Sequence, residues 1–206
     1  MSSWLKRLSV ILACALPALA QAALEAPKDV PTRGSLAGQL LIATPAMGDP
    51  RFHETVILMA RHDKNGAFGL VINRPLGERT LASLLAALGE KDEGVAGSVR
   101  VFAGGPVQPE VGFVVHSADY RRAGTIVVDQ RVAVTSSREI LRDIAKKQGP
   151  QKSLLAFGYA GWGPSQLDGE MALGAWFTAQ EDVSLIFDLD RAKVWDEAMK
   201  RRTQDL

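Results

Sequence analysis

Three histidines and one cysteine set narrow limits on the chemistry open to this chain. No two of His53, His62 and His116 have the close spacing of a metal-binding pair on a helix or strand, and no pattern joins them to carboxylates as ligands. His116-Ser117 contains two parts of a hydrolytic relay, with Ser165 as a second candidate nucleophile and Asp49 or Asp119 as the orienting carboxylate. Such a relay is defined by geometry rather than by sequence order. The richest stretch is SLLAFGYAGWGPSQLDGEMALGAW, residues 153 to 176. Its order reads as buried strand, glycine turn at Gly158, Gly161 and Gly163, then a helix opened by Pro164, whose missing N–H costs nothing at the first helical position. Free N–H groups at such a start can hold an anion. The glycines nevertheless fit neither GxGxxG nor the Walker pattern, and Ala160 occupies the serine position of a GxSxG elbow.

Gln166 and Glu170 are spaced to share one helical face. Trp162 and Trp176 flank that helix without interleaved basic residues, which favours packing over base stacking. Asn73-Arg74-Pro75 offers a guanidinium fork for a carboxylate or phosphate, and the same residues also suit the end of a strand. Turns after strands are where ligand sites gather. The candidate pocket is therefore Asn73, Arg74, Gly104, Gly105, His116, Trp162, Gln166 and Glu170. No metal or cofactor signature accompanies it in the sequence.

The elements that must position these residues are legible from periodicity. GQLLIATP, TVILMAR and AFGLVIN read as strands, the last two joined by a hairpin at Asn65-Gly66. A loop carrying Asp49, Arg51, Phe52 and His53 separates the first two. Leu81, Leu84, Leu85 and Leu88 make one helical face, ended by Gly89. Two strands surround Gly104-Gly105-Pro106, and short strands are expected at Thr125 to Val128 and Arg131 to Val134. A helix is expected from Ser136 with Glu139 in a capping box. DVSLIFD reads as a strand, and a C-terminal helix with Asp190 at its N-cap docks through Val194, Trp195 and Ala198. About eight strands and four helices in irregular alternation predict an α+β fold, a mixed sheet with helices packed on it.

With 206 residues, 47% of them apolar and 23% charged, the chain suits one domain. Lys6 and Arg7, the run LSVILACALPALA and the small-x-small Ala20-Gln21-Ala22 predict a secretory signal over residues 1–22. The run is too short for a comfortable membrane span. An extended leader over 23–34 and the domain proper over 35–206 would follow. The expected location is the periplasm or the exterior. Cleavage would remove Lys6, Arg7 and Cys14, leaving acidic residues one ahead of basic ones and no thiol for disulfides, catalysis or metal binding. That charge balance lacks the footprint of a nucleic-acid binder.

The blocks GQLLIATPAMGDPRF, GAFGLVINRP, FAGGPVQPEVGFVVHS and GYAGWGPSQLDGEM resemble the YqgE/AlgH family of bacterial proteins. The resemblance implies a compact α+β fold of coiled, branching sheet with peripheral helices. It implies no activity, and the regulatory label carried by some members requires residence in the cytosol. This chain departs from the family in its export signal and in Ser165, where glycine is common. The resulting expectation is a non-enzymatic extracytoplasmic binding or accessory domain whose partner is a small molecule or a protein. A cytosolic regulator and a serine-type hydrolase are the rivals.

Overall fold

The computed structural model describes residues 34–89 and 95–203, so the expected signal and nearly all of the leader lie outside the described residues. Ten strands form the framework: β1 Gln39–Ala43, β2 Val56–Asp63, β3 Gly66–Val71, β4 Pro75–Thr80, β5 Ser98–Ala103, β6 Val107–Ser117, β7 Thr125–Val127, β8 Val132–Thr135, β9 Ser153–Trp162 and β10 Trp176–Gln180. Helices α1 Leu81–Ala87, α2 Glu139–Ala145, α3 Gln166–Ala172 and α4 Val194–Lys200 pack around them, with a π-helical turn at Ser184–Asp188 and a 3-10 turn at Arg191–Lys193. The expected α+β class is observed, with two strands more than the pattern predicted.

β9 is the axis of the sheet. Its first half pairs in parallel with β5 and antiparallel with β6, while Ala160, Gly161 and Trp162 pair with β3. The main path runs β10-β1-β2-β3-β9-β6-β8-β7, and the β4–β5 hairpin branches from β9. The sheet curls until its two ends meet. Arg131, in the β7–β8 connection, donates to the carbonyl of Glu181 just beyond β10 at 3.3 Å and pairs with its carboxylate.

β9 corrects one sequence expectation. The chain does not turn at Gly158 but stays extended to Trp162. Gly158 has a φ of +73°, and a Cβ there would stand 2.4 Å from the Gly105 carbonyl oxygen. The glycine permits two backbones to cross inside the sheet, a use of glycine that sequence spacing does not separate from a turn.

The segment DVSLIFD also differs from expectation, folding as a π-helical turn. Asp182 Oδ1 accepts from Ser184 N–H at 2.7 Å and from its hydroxyl at 2.6 Å, so a side-chain cap overrides the apolar run. Leu185, Ile186 and Phe187 are still buried, in the same cluster as Val194 and Ala198 of α4. Trp195 anchors α4 by donating to the Ala43 carbonyl at 2.9 Å. The capping residue Asp190 starts the 3-10 turn, accepting from Ala192 N–H at 3.2 Å. On the opposite face, Leu167 of α3 joins Ile57, Met59, Val71, Trp162 and Trp176 in a second cluster. A third gathers Leu81 and Leu85 of α1 with Ile140 and Leu141 of α2.

Candidate binding cleft

α3 lies between the end of β9 and the start of β10, which places Trp162 and Trp176 on either side of it. Glu170, one turn after Gln166, reaches both rings. Its Oε2 accepts the indole N–H of Trp162 at 2.9 Å and that of Trp176 at 2.8 Å. Its Oε1 accepts from Gln166 Nε2 at 3.0 Å, and Gln166 Oε1 accepts in turn from Gly163 N–H at 3.1 Å. Buried indole N–H groups need an acceptor, and one carboxylate serves both. The Gln166 contact also takes up an N–H before the helix that the sequence left open to an anion. Ser165 sits in the left-handed region at φ 58° and makes no side-chain cap.

The two rings meet edge-to-face at 6.0 Å, and Phe52 meets Trp176 edge-on at 5.5 Å. Phe52 arrives on the 44–55 segment, which is fixed where β1 pairs with β10 on one side and β2 on the other. Between this segment, α3 and the β5–β6 turn is a cleft of about 360 Å³. Met47, Phe52, Pro106, Val107, Trp162, Ala175 and Trp176 give it apolar walls, and Asp49, Arg51, Gln166 and Glu170 supply polar groups. Arg51 is clamped by Asp49 through Nε at 3.0 Å and Nη2 at 2.6 Å. This hydrogen bonding holds the Asp49 carboxyl below the usual range.

Of the eight residues expected to share a pocket, Trp162, Gln166 and Glu170 are brought together here. Gly104 and Gly105 place the wall without lining it, because Cβ atoms there would fall 2.4 Å from Gly158 O and 2.1 Å from Tyr159 C. Asn73 and Arg74 border a separate, smaller cavity of about 220 Å³ with Glu54, Arg191, Trp195 and Asp196. Asn73 there extends the strand pairing, its Oδ1 accepting from Val56 N–H and its Nδ2 donating to Glu54 O, both at 2.9 Å. Arg74 donates to the His53 carbonyl.

His116 lines neither cavity. It is wholly buried on β6, with Nδ1 2.9 Å from the Ser117 carbonyl and Nε2 2.9 Å from Thr135 Oγ1. A carbonyl only accepts, so Nδ1 carries the proton and Nε2 accepts from the threonine. Burial pushes the His116 pKa down. Ser117 Oγ donates to Asp119 at 2.5 Å, and the exposed Ser165 is on α3's approach, so neither serine completes the expected relay with His116 through these bonds. His62, at the mouth of the β2–β3 hairpin, is not solvated. It is half-buried, accepting from Leu36 N–H at 3.2 Å and standing 3.6 Å from Asp168 of α3.

Arg51 and Phe52 read in the sequence only as loop residues, and Asp49 as a candidate relay carboxylate; the cleft brings all three together instead. No sequence signal marked a second cluster, where Glu181, 6% exposed, faces Arg131 and feels the Asp129 carboxylate. Burial and then Asp129 raise the Glu181 pKa to about 7, against the pull of Arg131. Among the described residues, no three His, Cys, Asp or Glu side chains are grouped to hold a metal. No described helix is long and apolar enough to cross a membrane.

A family model described as AlgH-like matches residues 40–206, every residue of the cleft included. The chain belongs to the AlgH-like family. A UPF0301 protein of Rhizorhabdus wittichii is 44% identical to this AlgH-like chain over 166 residues, covering 81% of it and 89% of the relative. A UPF0301 protein of Rhodospirillum rubrum is 43% identical over 168 residues, covering 82% and 88%. The solution structure of the AlgH protein from Pseudomonas aeruginosa superposes with a TM-score of 0.72 at 36% identity, covering 84% of this chain and 92% of that one. A Corynebacterium diphtheriae protein at 22% identity and TM-score 0.62 shares the fold. These names attach no reaction to the AlgH-like fold.

Proposed function

We propose that this AlgH-like chain is a non-enzymatic binding or accessory domain that works outside the cytoplasm and holds a small molecule in the cleft between α3, β10 and the 44–55 segment. The observation that carries this reading is the cleft itself. Its volume of about 360 Å³ is within the range of small-molecule sites, and it has the usual apolar lining with a few fixed polar groups. The network through Glu170 holds Trp162, Trp176 and Gln166 in place, so a ligand would meet walls that are already ordered. The extracytoplasmic part rests on the signal pattern ending at Ala22.

Native mass spectrometry of the protein purified from its source tests the binding reading, which expects a co-purifying small molecule. Fusion of residues 1–30 to an export reporter tests the location. A reporter retained in the cytosol would overturn the extracytoplasmic reading and reopen the regulatory one.

A further inference from the structure

We propose that the ligand of the cleft is a free organic cation, an amine with an apolar body whose ammonium group sits against Glu170 and the aromatic walls. This rests on the reading of the cleft as a small-molecule site. A carboxylate has about four acceptor positions. Three of those on Glu170 are filled, by Trp162 Nε1, Trp176 Nε1 and Gln166 Nε2, and one on Oε1 is left.

All three donors are neutral, so the charge of this half-buried group has no countercharge among its bonds. The other charges of the lining cancel, because Asp49 and Arg51 are paired with each other at 2.6 Å. The cleft therefore carries one unmatched negative charge beside three aromatic rings. Rings attract cations through their electron-rich faces, most strongly where water is excluded. The aromatic wall already meets one cation, since Arg51 Cζ stands 6.0 Å from the Phe52 ring centroid. An anionic ligand would face Glu170 while the one cation of the lining, Arg51, is already paired with Asp49, and a neutral ligand would add no countercharge.

The test is a titration of the full chain with benzylamine, benzyl alcohol and benzoate, followed by the indole N–H resonances of Trp162 and Trp176. Benzylamine is expected to shift both saturably and to bind about tenfold more tightly than benzyl alcohol, the discrimination a cation–π contact supports. Benzoate is expected to leave them unmoved. Glu170→Gln, which keeps an acceptor for the indoles and leaves the rings in place, should remove most of the advantage of benzylamine over the alcohol. Phe52→Leu, which leaves the Glu170 bonds intact, should weaken benzylamine more than the alcohol.

Benzoate or the alcohol binding as tightly as the amine would overturn the cation while leaving the cleft reading in place. No shift with any of the three would overturn both. A lysine-bearing peptide binding more tightly than benzylamine would overturn the free amine in favour of a protein partner.

Discussion

Replacing Glu181 by Gln should flatten a pH dependence that the closure of the sheet builds into this protein. Glu181 follows β10, one end of the strand path, and meets Asp129 and Arg131 from the β7–β8 connection at the other end. Burial, and after it the Asp129 carboxylate, raise its pKa from 4.5 to about 7. The folded protein thus binds a proton that the unfolded chain has released between these values, so the contribution is fully present below about pH 4.5 and is lost as pH rises through 7. A shift of this size amounts to about 3 kcal/mol.

His116 acts with the opposite sign. Its pKa is lowered from 6.5 by burial, so its contribution is present above that value and lost as pH falls through the folded-state value. The wild-type profile therefore mixes the two, and the difference from Glu181→Gln isolates the first. The neutral amide has the shape of the protonated acid and does not titrate. Denaturant unfolding at fixed m between about pH 4.5 and about pH 8 should show the wild type losing about 3 kcal/mol relative to the variant. Parallel profiles would refute the account of a protonated Glu181 at the closure.

Gly66→Ala is expected to destabilise the fold by about 2 kcal/mol or more in the same assay, because its φ is +126° and a Cβ would lie 2.2 Å from the Trp162 carbonyl oxygen. A loss below about 0.5 kcal/mol would show that the β3–β9 contact yields freely. Tyr120 hydrogen-bonds Asp143 at 2.5 Å, and burial followed by that bond pushes its phenol up to about 12. Ultraviolet titration of Tyr159→Phe, which leaves Tyr120 as the remaining tyrosine, should show phenolate forming near that value. Ionisation close to the ordinary value of about 10 would contradict the Tyr120–Asp143 pairing.

The hairpin and the helical faces, which depend on neighbours in sequence, are legible in it, whereas the local Asp182 cap that turns DVSLIFD into a helical turn is not. The β2–β3 hairpin forms, although its loop residues are Lys64 and Asn65, with Gly66 already paired to Asp63. Leu81 and Leu85 are buried as their spacing requires, and the Gln166–Glu170 pair shares a face because helical geometry demands it. Features set by distant pairing were not legible.

β10 follows α3 so closely that its five residues carry little pattern, and it becomes a strand by pairing with β1. β4 is exposed throughout, so no apolar alternation marked it. Asp49 to Phe52 belong to the cleft because β1 pairs with both β2 and β10, which no local pattern records. His116 lies one residue before the end of β6. Thr135, on the neighbouring β8, gives it a buried partner that the sequence of β6 does not contain.

Whether the cleft holds a ligand is decided by native mass spectrometry of the wild type beside Gly48→Leu, both purified from the source organism. Gly48 lines the cleft, and a Cβ at that position meets no atom within 4 Å, so leucine should narrow the space without straining the fold. A small-molecule adduct is expected on the wild type and should be lost from a normally folded Gly48→Leu. A wild type free of any adduct, or an adduct held equally by both proteins, would contradict the binding reading.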